Sequence, residues 1–322
     1  MDLMTTLPII IDTDPGIDDS IALLTAFVSP ELDILGITPV CGNQPLASTL
    51  RNALQICELG GRSDVPVHAG CFRPLLREPI HGQFHGTTGL GNTVLPDPVK
   101  TAEATSAVAF IIASCEAAAA SGRKITICSL GPLTNLAVAL RMKPAITEGI
   151  EKLVMMGGAY REAGNRSMTS EFNVLADPHA AHIVFSSGIP IVALALDATH
   201  QVILTPDHVS QFAAVSGRIS EPLSQLMAFW DRNDVKRYGS RGGPLHDPLV
   251  IAYLLAPELF QTQPARVFVE HESELCMGQT IADWHGKSGL APNAEIVVKV
   301  DAPAVIALFL ERLSRYDAKV TA

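Results

Sequence analysis

The feature that most constrains the fold is a regular alternation of strand-like and helix-like patterns along most of the chain. Short runs of β-branched and other apolar residues alternate with longer segments whose apolar residues recur with helical spacing. Neighbouring parallel strands need long crossover connections, which helices usually supply. The alternation therefore predicts an α/β fold with an open, mostly parallel sheet that is flanked by helices.

The predicted elements follow one another without a linker, a charge block or a repeat, so we expect a single domain over residues 1–322. The predicted strands are residues 9–11, 32–40, 65–68, 125–130, 153–156, 191–196, 267–269 and 296–300, and the last two should extend or flank the sheet. The predicted helices are residues 18–27, 46–59, 102–120, 133–141, 178–186 and 303–313. Residues 71–100 and 157–173 interrupt the alternation, and such long loops are usually either functional or disordered.

Four carboxylates come directly after the first predicted strand. Asp12 and Asp14 precede a Pro-Gly break, and Asp18 and Asp19 fall in the first turn of the next helix. In open α/β sheets, ligands bind at the carboxyl ends of the strands. Like charges this close repel one another, and a hard divalent cation with oxygen ligands would offset them. The alternative is that two of the acids cap the helix and two lie in a solvated turn.

The composition narrows the class of protein. A formal net charge of −10 disfavours a nucleic-acid surface, because phosphate binding needs clustered Lys and Arg. No stretch approaches the roughly 20 apolar residues of a membrane span, and no secretion signal is recognisable, so we expect a cytosolic protein. The six cysteines form no Cys-x-x-Cys pair and are expected to be reduced core residues.

Polar motifs also follow later strands or open later helices, where they should converge on a pocket at the same sheet edge. They are Gly-Asn-Gln at 42–44, Gly-Pro-Leu-Thr-Asn at 131–135, Met-Gly-Gly at 156–158, Gly-Asn at 164–165, Glu-Phe-Asn at 171–173 and His-Asp-Pro at 246–248. Together with Asp-Thr-Asp-Pro-Gly-Ile-Asp-Asp at 12–19, this ordered set resembles the inosine-uridine preferring nucleoside hydrolase family. The resemblance covers most of the chain. It implies a Rossmann-like nucleoside hydrolase fold, hydrolysis of ribonucleosides to ribose and free base, and a homodimer or homotetramer.

The resemblance also implies roles for individual residues. A calcium ion would be held by Asp14, Asp19, the backbone carbonyl of Leu130 and Asp247. Asp14 would also be the general base for the attacking water. The ribose would be held by Asp18, Asn43, Asn165, Glu171 and Asn173, with Met156 lining the sugar pocket and Asp12 supporting the loop.

Two histidines would assist the departing base, by the same resemblance. His246 fits the acid role, and His85 matches a second histidine on the leaving-group side. Each has a simpler alternative, because His246 could cap the following helix and His85 could be a solvated loop residue.

The preference for purine or pyrimidine bases stays open. Phe229, Trp230 and Tyr238 belong to a predicted helix over 229–238, where they could contact the base or pack in the core. Tyr238 matches the base-contacting tyrosine of pyrimidine-preferring members, whereas Asp234 departs from the family pattern. The expectation is therefore a slight preference for pyrimidines or a broad specificity.

Two other classes compete with this interpretation. A haloacid-dehalogenase-like phosphatase would use Asp12 as its nucleophile with magnesium, but it needs a later lysine and an acidic pair that the chain does not offer after a strand. A non-catalytic, calcium-dependent nucleoside-binding homologue would keep the pocket without turnover. Retention of Asp14, Asp19 and Asp247 favours hydrolysis over this alternative.

Overall fold

The computed structural model describes residues 6–82, 84–233 and 242–317. The strands are β1 (Leu7–Thr13), β2 (Leu32–Pro39), β3 (Ile125–Ser129), β4 (Ile150–Met156), β5 (Ile191–Leu194), β6 (Ile203–Leu204), β7 (Gly243–Pro244), β8 (Phe260–Val269), β9 (Thr280–Asp283) and β10 (Ala294–Val300). The helices are α1 (Ile17–Phe27), α2 (Leu46–Leu59), α3 (Ala107–Ala120), α4 (Thr134–Met142), α5 (Phe172–Ala176), α6 (Pro178–Phe185), α7 (Leu196–Thr199), α8 (Pro206–Ala213), α9 (Ser220–Asn233), α10 (Pro248–Leu255) and α11 (Ala302–Ser314).

The described residues form an eight-stranded sheet in the order β2-β1-β3-β4-β5-β10-β8-β9. The first six strands in this order, β2, β1, β3, β4, β5 and β10, pair in parallel. At the edge beyond β10, β8 pairs antiparallel with β10, and β9 pairs antiparallel with β8. This arrangement confirms the predicted α/β fold. The strands β2 and β3 lie on opposite sides of β1, so the strand order reverses there. Such a switch point opens a crevice at the carboxyl ends of the strands.

The first strand shows why the sheet is buried on both faces. Ile9, Ile10 and Ile11 have no exposed surface. Ile9 and Ile11 belong to an apolar cluster on one face, whereas Ile10 belongs to a cluster on the other. Side chains alternate between faces along a strand, so a continuous apolar run fits a strand that is covered by helices on both sides.

Several predicted boundaries were wrong. The strand expected over 153–156 begins at Ile150, and the helix expected over 229–238 corresponds to α9, which begins at Ser220. The helix expected over 102–120 begins at Ala107, because Ser106 caps it by accepting a hydrogen bond from Ala109 N. The strand expected over 65–68 is reduced to a single bridge between Val67 and Ile37. The strand expected over 267–269 is the end of the longer β8, whose polar first half hides the apolar pattern. In the described parts of the chain, no helix is both long and apolar enough to cross a membrane.

Candidate active site

A group of buried carboxylates lies where β1 ends and α1 begins. Asp18, Asp19 and Asp247 each offer an oxygen, and these oxygens lie within 4.8 Å of one another. Asp14 adjoins this group. Its Oδ2 accepts a hydrogen bond of 2.6 Å from Asn43 N, while its Oδ1 is buried without a hydrogen-bond partner among the described residues. Asp247 reaches the group from the N-terminus of α10, so distant parts of the sequence meet here.

Burial and mutual repulsion both make these carboxylates hard to ionise without a counter-charge. Burial raises the pKa of Asp14 and of Asp247 well above the usual range, and the neighbouring aspartates raise it further. Burial and the charge of Asp18 also raise the pKa of Asp19. Asp19 is nevertheless fixed by Thr13 Oγ1 and by Gly16 N, which donate to its two oxygens. A bound cation would satisfy such a cluster.

The surroundings of the cluster fit a metal ion. Its donors are oxygens, which suit a hard divalent cation. The carbonyl oxygen of Leu130 accepts a hydrogen bond of 2.7 Å from Asn173 Nδ2 and keeps a second lone pair. A Cβ atom added at Gly42 would lie 2.1 Å from Asp14 Oδ2, and one at Gly131 would lie 2.5 Å from Asp14 Oδ1. The two glycines therefore let the backbone approach the Asp14 carboxylate closely.

Asp12 stabilises the segments around the cluster through hydrogen bonds to its carboxylate. Thr38 Oγ1 and Asn135 Nδ2 donate hydrogen bonds of 2.6 and 2.8 Å to its Oδ2. Asn135 in turn accepts a bond from Cys71 N, so one carboxylate ties together the ends of β1 and β2 and the start of α4. Burial raises the pKa of Asp12 to about 7. Asp12 does not line the cavity of the described residues, which argues against the phosphatase nucleophile.

A cavity opens beside the cluster, and most of the predicted substrate-binding residues line it. Its lining includes the predicted Asp18, Asn43, His85, Met156, Asn165, Glu171, Asn173, His246 and Asp247. Three predicted residues lie next to that lining. Asp14 is hydrogen-bonded to the lining residue Asn43, and Leu130 to the lining residue Asn173. Asp19 belongs to the carboxylate group with Asp18 and Asp247. Tyr238 and Asp234 lie outside the described residues.

One wall of the cavity is built from the loop before α5 and from α5 itself. Glu171 caps this helix, and its carboxylate accepts hydrogen bonds from Asn173 N at 2.8 Å, Gly158 N at 3.0 Å and Val174 N at 3.2 Å. Burial raises the pKa of Glu171 to about 7 despite these donors. Asn165 Oδ1 accepts a bond of 2.9 Å from Phe172 N, which anchors the loop. Amide and carboxylate groups are thus held rigidly on this wall.

The two predicted leaving-group histidines line the same cavity but have different partners. His85 Nδ1 accepts a hydrogen bond of 3.1 Å from Ile17 N, so its ring proton lies on Nε2. Its side chain is 16% exposed, which is inconsistent with a solvated loop residue. His246 Nδ1 is hydrogen-bonded to Thr199 Oγ1 at 2.9 Å. The N-cap residue of α10 is Asp247, so the alternative of a capping His246 was wrong.

The remaining aromatic residues divide between the cavity and its surroundings. Phe229 and Trp230 of α9 line the cavity, although Trp230 is also largely buried. Trp284 packs instead against Tyr160 and under the guanidinium group of Arg161, at 4.3 Å from the ring centre. Sequence reasoning missed further lining residues, namely Phe84, Arg166, Phe172 and Pro244. All but Pro244 lie in the two long loops or at the start of α5. The interruption of the strand and helix alternation by these loops was therefore the signal that could have identified these residues.

The chain is similar in sequence and in fold to known nucleoside hydrolases. The family model described as "Inosine-uridine preferring nucleoside hydrolase" matches residues 9–307. The pyrimidine-specific ribonucleoside hydrolase RihB of Escherichia coli is 42% identical over 294 residues, which cover 91% of this chain and 92% of RihB. A solved purine-preferring ribonucleoside hydrolase from Gardnerella vaginalis is 33% identical, with a TM-score of 0.89 over 98% of this chain and 100% of that one. The plant nucleoside hydrolase PpNRh1 is 32% identical, with a TM-score of 0.87 over 96% of this chain and 99% of that one.

Proposed function

The chain belongs to the inosine-uridine preferring nucleoside hydrolase family, and on this premise we propose how its own residues hydrolyse the N-glycosidic bond of a ribonucleoside. The observation that carries the proposal is the buried carboxylate group at one side of a cavity whose lining also holds two histidines and two aromatic residues of α9. This cavity offers separate groups to the attacking water, the sugar and the departing base.

We propose calcium as the cation. Asp14, Asp19, Asp247 and the carbonyl oxygen of Leu130 would hold it, since carboxylate and carbonyl oxygens are the ligands that calcium prefers. When bound, the cation would make a coordinated water more acidic and balance the charge of the cluster. Asp18 belongs to the same carboxylate group and lines the cavity, so it can also reach the hydroxyl groups of the ribose.

Asp14 is the proposed general base. Asn43 N fixes its Oδ2, and its Oδ1 is the oxygen without a hydrogen-bond partner among the described residues. Oδ1 would take a proton from the water as the water attacks the anomeric carbon and the electron pair of the C–N bond leaves with the base. Positive charge builds up on the ribose ring in such reactions. Asp18, Glu171 and Asn173 would stabilise that charge while holding the sugar.

The opposite end of the cavity would receive the base. Phe229 and Trp230 supply apolar surface on which a planar ring can pack. His85 Nε2–H would donate a hydrogen bond, and His246 would supply a proton to the departing base. The leaving group would thus depart as a neutral base and not as an anion.

Base preference, assembly and location belong to the same proposal. RihB is pyrimidine-specific and the Gardnerella enzyme is purine-preferring, so relatives of both kinds exist. Because RihB is the more similar in sequence, we propose a preference for pyrimidine nucleosides or a broad specificity. A homodimer or homotetramer and a cytosolic location also stay predictions.

The test uses purified protein treated with a chelator and then dialysed. Uridine, cytidine, inosine, adenosine and guanosine are supplied separately, with and without calcium, and released ribose and base are measured. We expect calcium to restore ribose release. Asp14→Asn should lower kcat by about 10²- to 10⁴-fold, as expected for loss of a general base, whereas Asp33→Asn on the exposed side of β2 should not.

Two results would contradict the proposal. Full activity after complete removal of metal would exclude the cation. Absence of ribose release from every nucleoside, in a protein whose melting temperature calcium still raises, would favour the non-catalytic nucleoside-binding alternative. The order of rates among the five nucleosides decides the base preference.

A further inference from the structure

We propose that Thr199 is a positioning residue for departure of the base: its hydroxyl group holds the His246 ring so that Nε2 faces the leaving group. This inference rests on the proposed acid role of His246. Thr199 touches neither the carboxylate group nor, among the described residues, the cavity itself. It would act only through the histidine.

The contact between the two side chains is built into the fold. Thr199 is the last residue of α7, is fully buried, and lies 2.9 Å from His246 Nδ1 through its Oγ1. Its backbone is fixed because Thr199 N donates to Ala195 O at 3.0 Å. The segment that carries His246 is fixed to the same region, because Leu245 N donates to Val202 O at 2.9 Å and β7 pairs with β6. The distance between hydroxyl and ring therefore does not depend on a mobile loop tip.

The hydrogen bond decides which ring nitrogen can serve the base. Since Thr199 engages Nδ1 of His246, the proton that is delivered to the base has to come from Nε2. As the C–N bond breaks, its electron pair passes to the base and the Nε2 proton follows. The ring keeps its Nδ1 proton, which it donates to Thr199 Oγ1. A hydroxyl oxygen can accept this bond, and it can also donate when Nδ1 carries a lone pair.

His85 shows why the kind of partner matters. Its Nδ1 accepts a hydrogen bond from Ile17 N, and a backbone N–H can only donate. The same nitrogen of His85 also lies 3.9 Å from Asp18 Oδ1, so its partners are a backbone N–H and a carboxylate. His246 has a hydroxyl group as the partner of its Nδ1, and this hydroxyl belongs to a residue outside the cavity lining. The two histidines of the cavity are therefore oriented by different groups.

The neighbour of Thr199 does not duplicate this contact. His200 Nδ1 lies 3.3 Å from Glu162 Oε2, and its ring centre is 6.1 Å from that of His246. The hydroxyl of Thr199 is thus the group that a substitution can remove selectively.

The experiment compares two leaving groups in Thr199→Val, which removes the hydroxyl with little change of volume, and in Thr199→Ser, which keeps it. The first substrate is the nucleoside, among the five named above, that the wild-type protein hydrolyses fastest. The second substrate is 4-nitrophenyl β-D-ribofuranoside, whose nitrophenolate leaves without a proton. For Thr199→Val we expect kcat on the nucleoside to fall by about 10²-fold, the lower end of general acid catalysis, with little change in KM. Hydrolysis of the nitrophenyl riboside should stay near the wild-type rate, and Thr199→Ser should restore most of the nucleoside activity.

Two control variants make the outcome specific. Thr25→Val removes another fully buried hydroxyl, which is near the end of α1 and without a hydrogen-bond partner in the described chain, and should leave both substrates unaffected. His246→Ala should reproduce the selective loss on the nucleoside. Equal losses of Thr199→Val on both substrates, or no rescue by serine, would show a merely structural role and overturn the inference. A wild-type protein that releases no ribose from nucleosides would instead refute the proposed function, and a fully active His246→Ala would refute the acid role on which Thr199 depends.

Discussion

Replacing Asp247 by asparagine should stabilise the metal-free protein while abolishing most of the stabilisation by calcium. One oxygen of Asp247 lies within 4.8 Å of oxygens of Asp18 and Asp19, and burial and these charges raise the pKa of Asp247. Asparagine keeps the shape of the side chain but removes one negative charge. Its amide can also donate a hydrogen bond to Asp18.

The size of the effect follows from the separation of the charges. Two unit charges 4.8 Å apart repel by about 3 kcal/mol at an effective dielectric constant of about 20. Because shared protons already relieve part of this repulsion, about 1–3 kcal/mol is a realistic gain for the metal-free variant. For a chain of this size that gain corresponds to a rise in Tm of roughly 2–8 °C. Saturating calcium at 100 times its Kd should stabilise the wild type by about 2.7 kcal/mol, and the variant by far less.

The assay is thermal unfolding of both proteins after chelator treatment and during a calcium titration. The control is Asp33→Asn, which makes the same chemical change at an exposed position of β2. We expect opposite signs for Asp247→Asn: a higher Tm without metal and a smaller rise with calcium. A lower Tm of the metal-free variant, or an unchanged rise with calcium, would refute the idea that these carboxylates are held together against their repulsion for a cation.

Two further predictions concern the walls of the same site. Burial raises the pKa of Glu171 from 4.5 to about 7, so the folded protein binds an extra proton between these values and its stability should fall by about 3 kcal/mol as pH rises through that window. Glu171→Gln should flatten this part of the profile in denaturant unfolding at several pH values, and an unchanged slope would contradict the assignment. Gly42→Ala places a Cβ 2.1 Å from Asp14 Oδ2, so it should weaken calcium binding at least tenfold in isothermal titration, whereas Gly122→Ala, whose Cβ would meet nothing within 4 Å, should not. Because Gly122 has a positive φ, that control is judged by calcium affinity and not by stability.

Much of the candidate site was readable from the sequence because its residues lie at the ends of regular elements. The run of isoleucines in β1 and the chain break after Asp14 are local features, and they suffice to place the first carboxylates at the edge of the sheet. Glu171 and Asn173 were found because their Glu-Phe-Asn motif belongs to the set that resembles the family. The supporting partners were harder to find. Neither Thr38 below Asp12 nor Thr13 beside Asp19 carries a local signal, because each acts through a hydrogen bond to another segment.

The alternation of strands and helices, the burial of β1 and the position of four carboxylates after it follow from the sequence, because they depend on periodicity and on chain breaks that are local. The contacts between distant residues come instead from the three-dimensional packing of the elements. The packing of α1 against α10 brings Asp247 to Asp18, and the pairing of β6 with β7 sets His246 against Thr199. Local patterns carry no information on these contacts, because they arise from the packing of segments that are far apart along the chain.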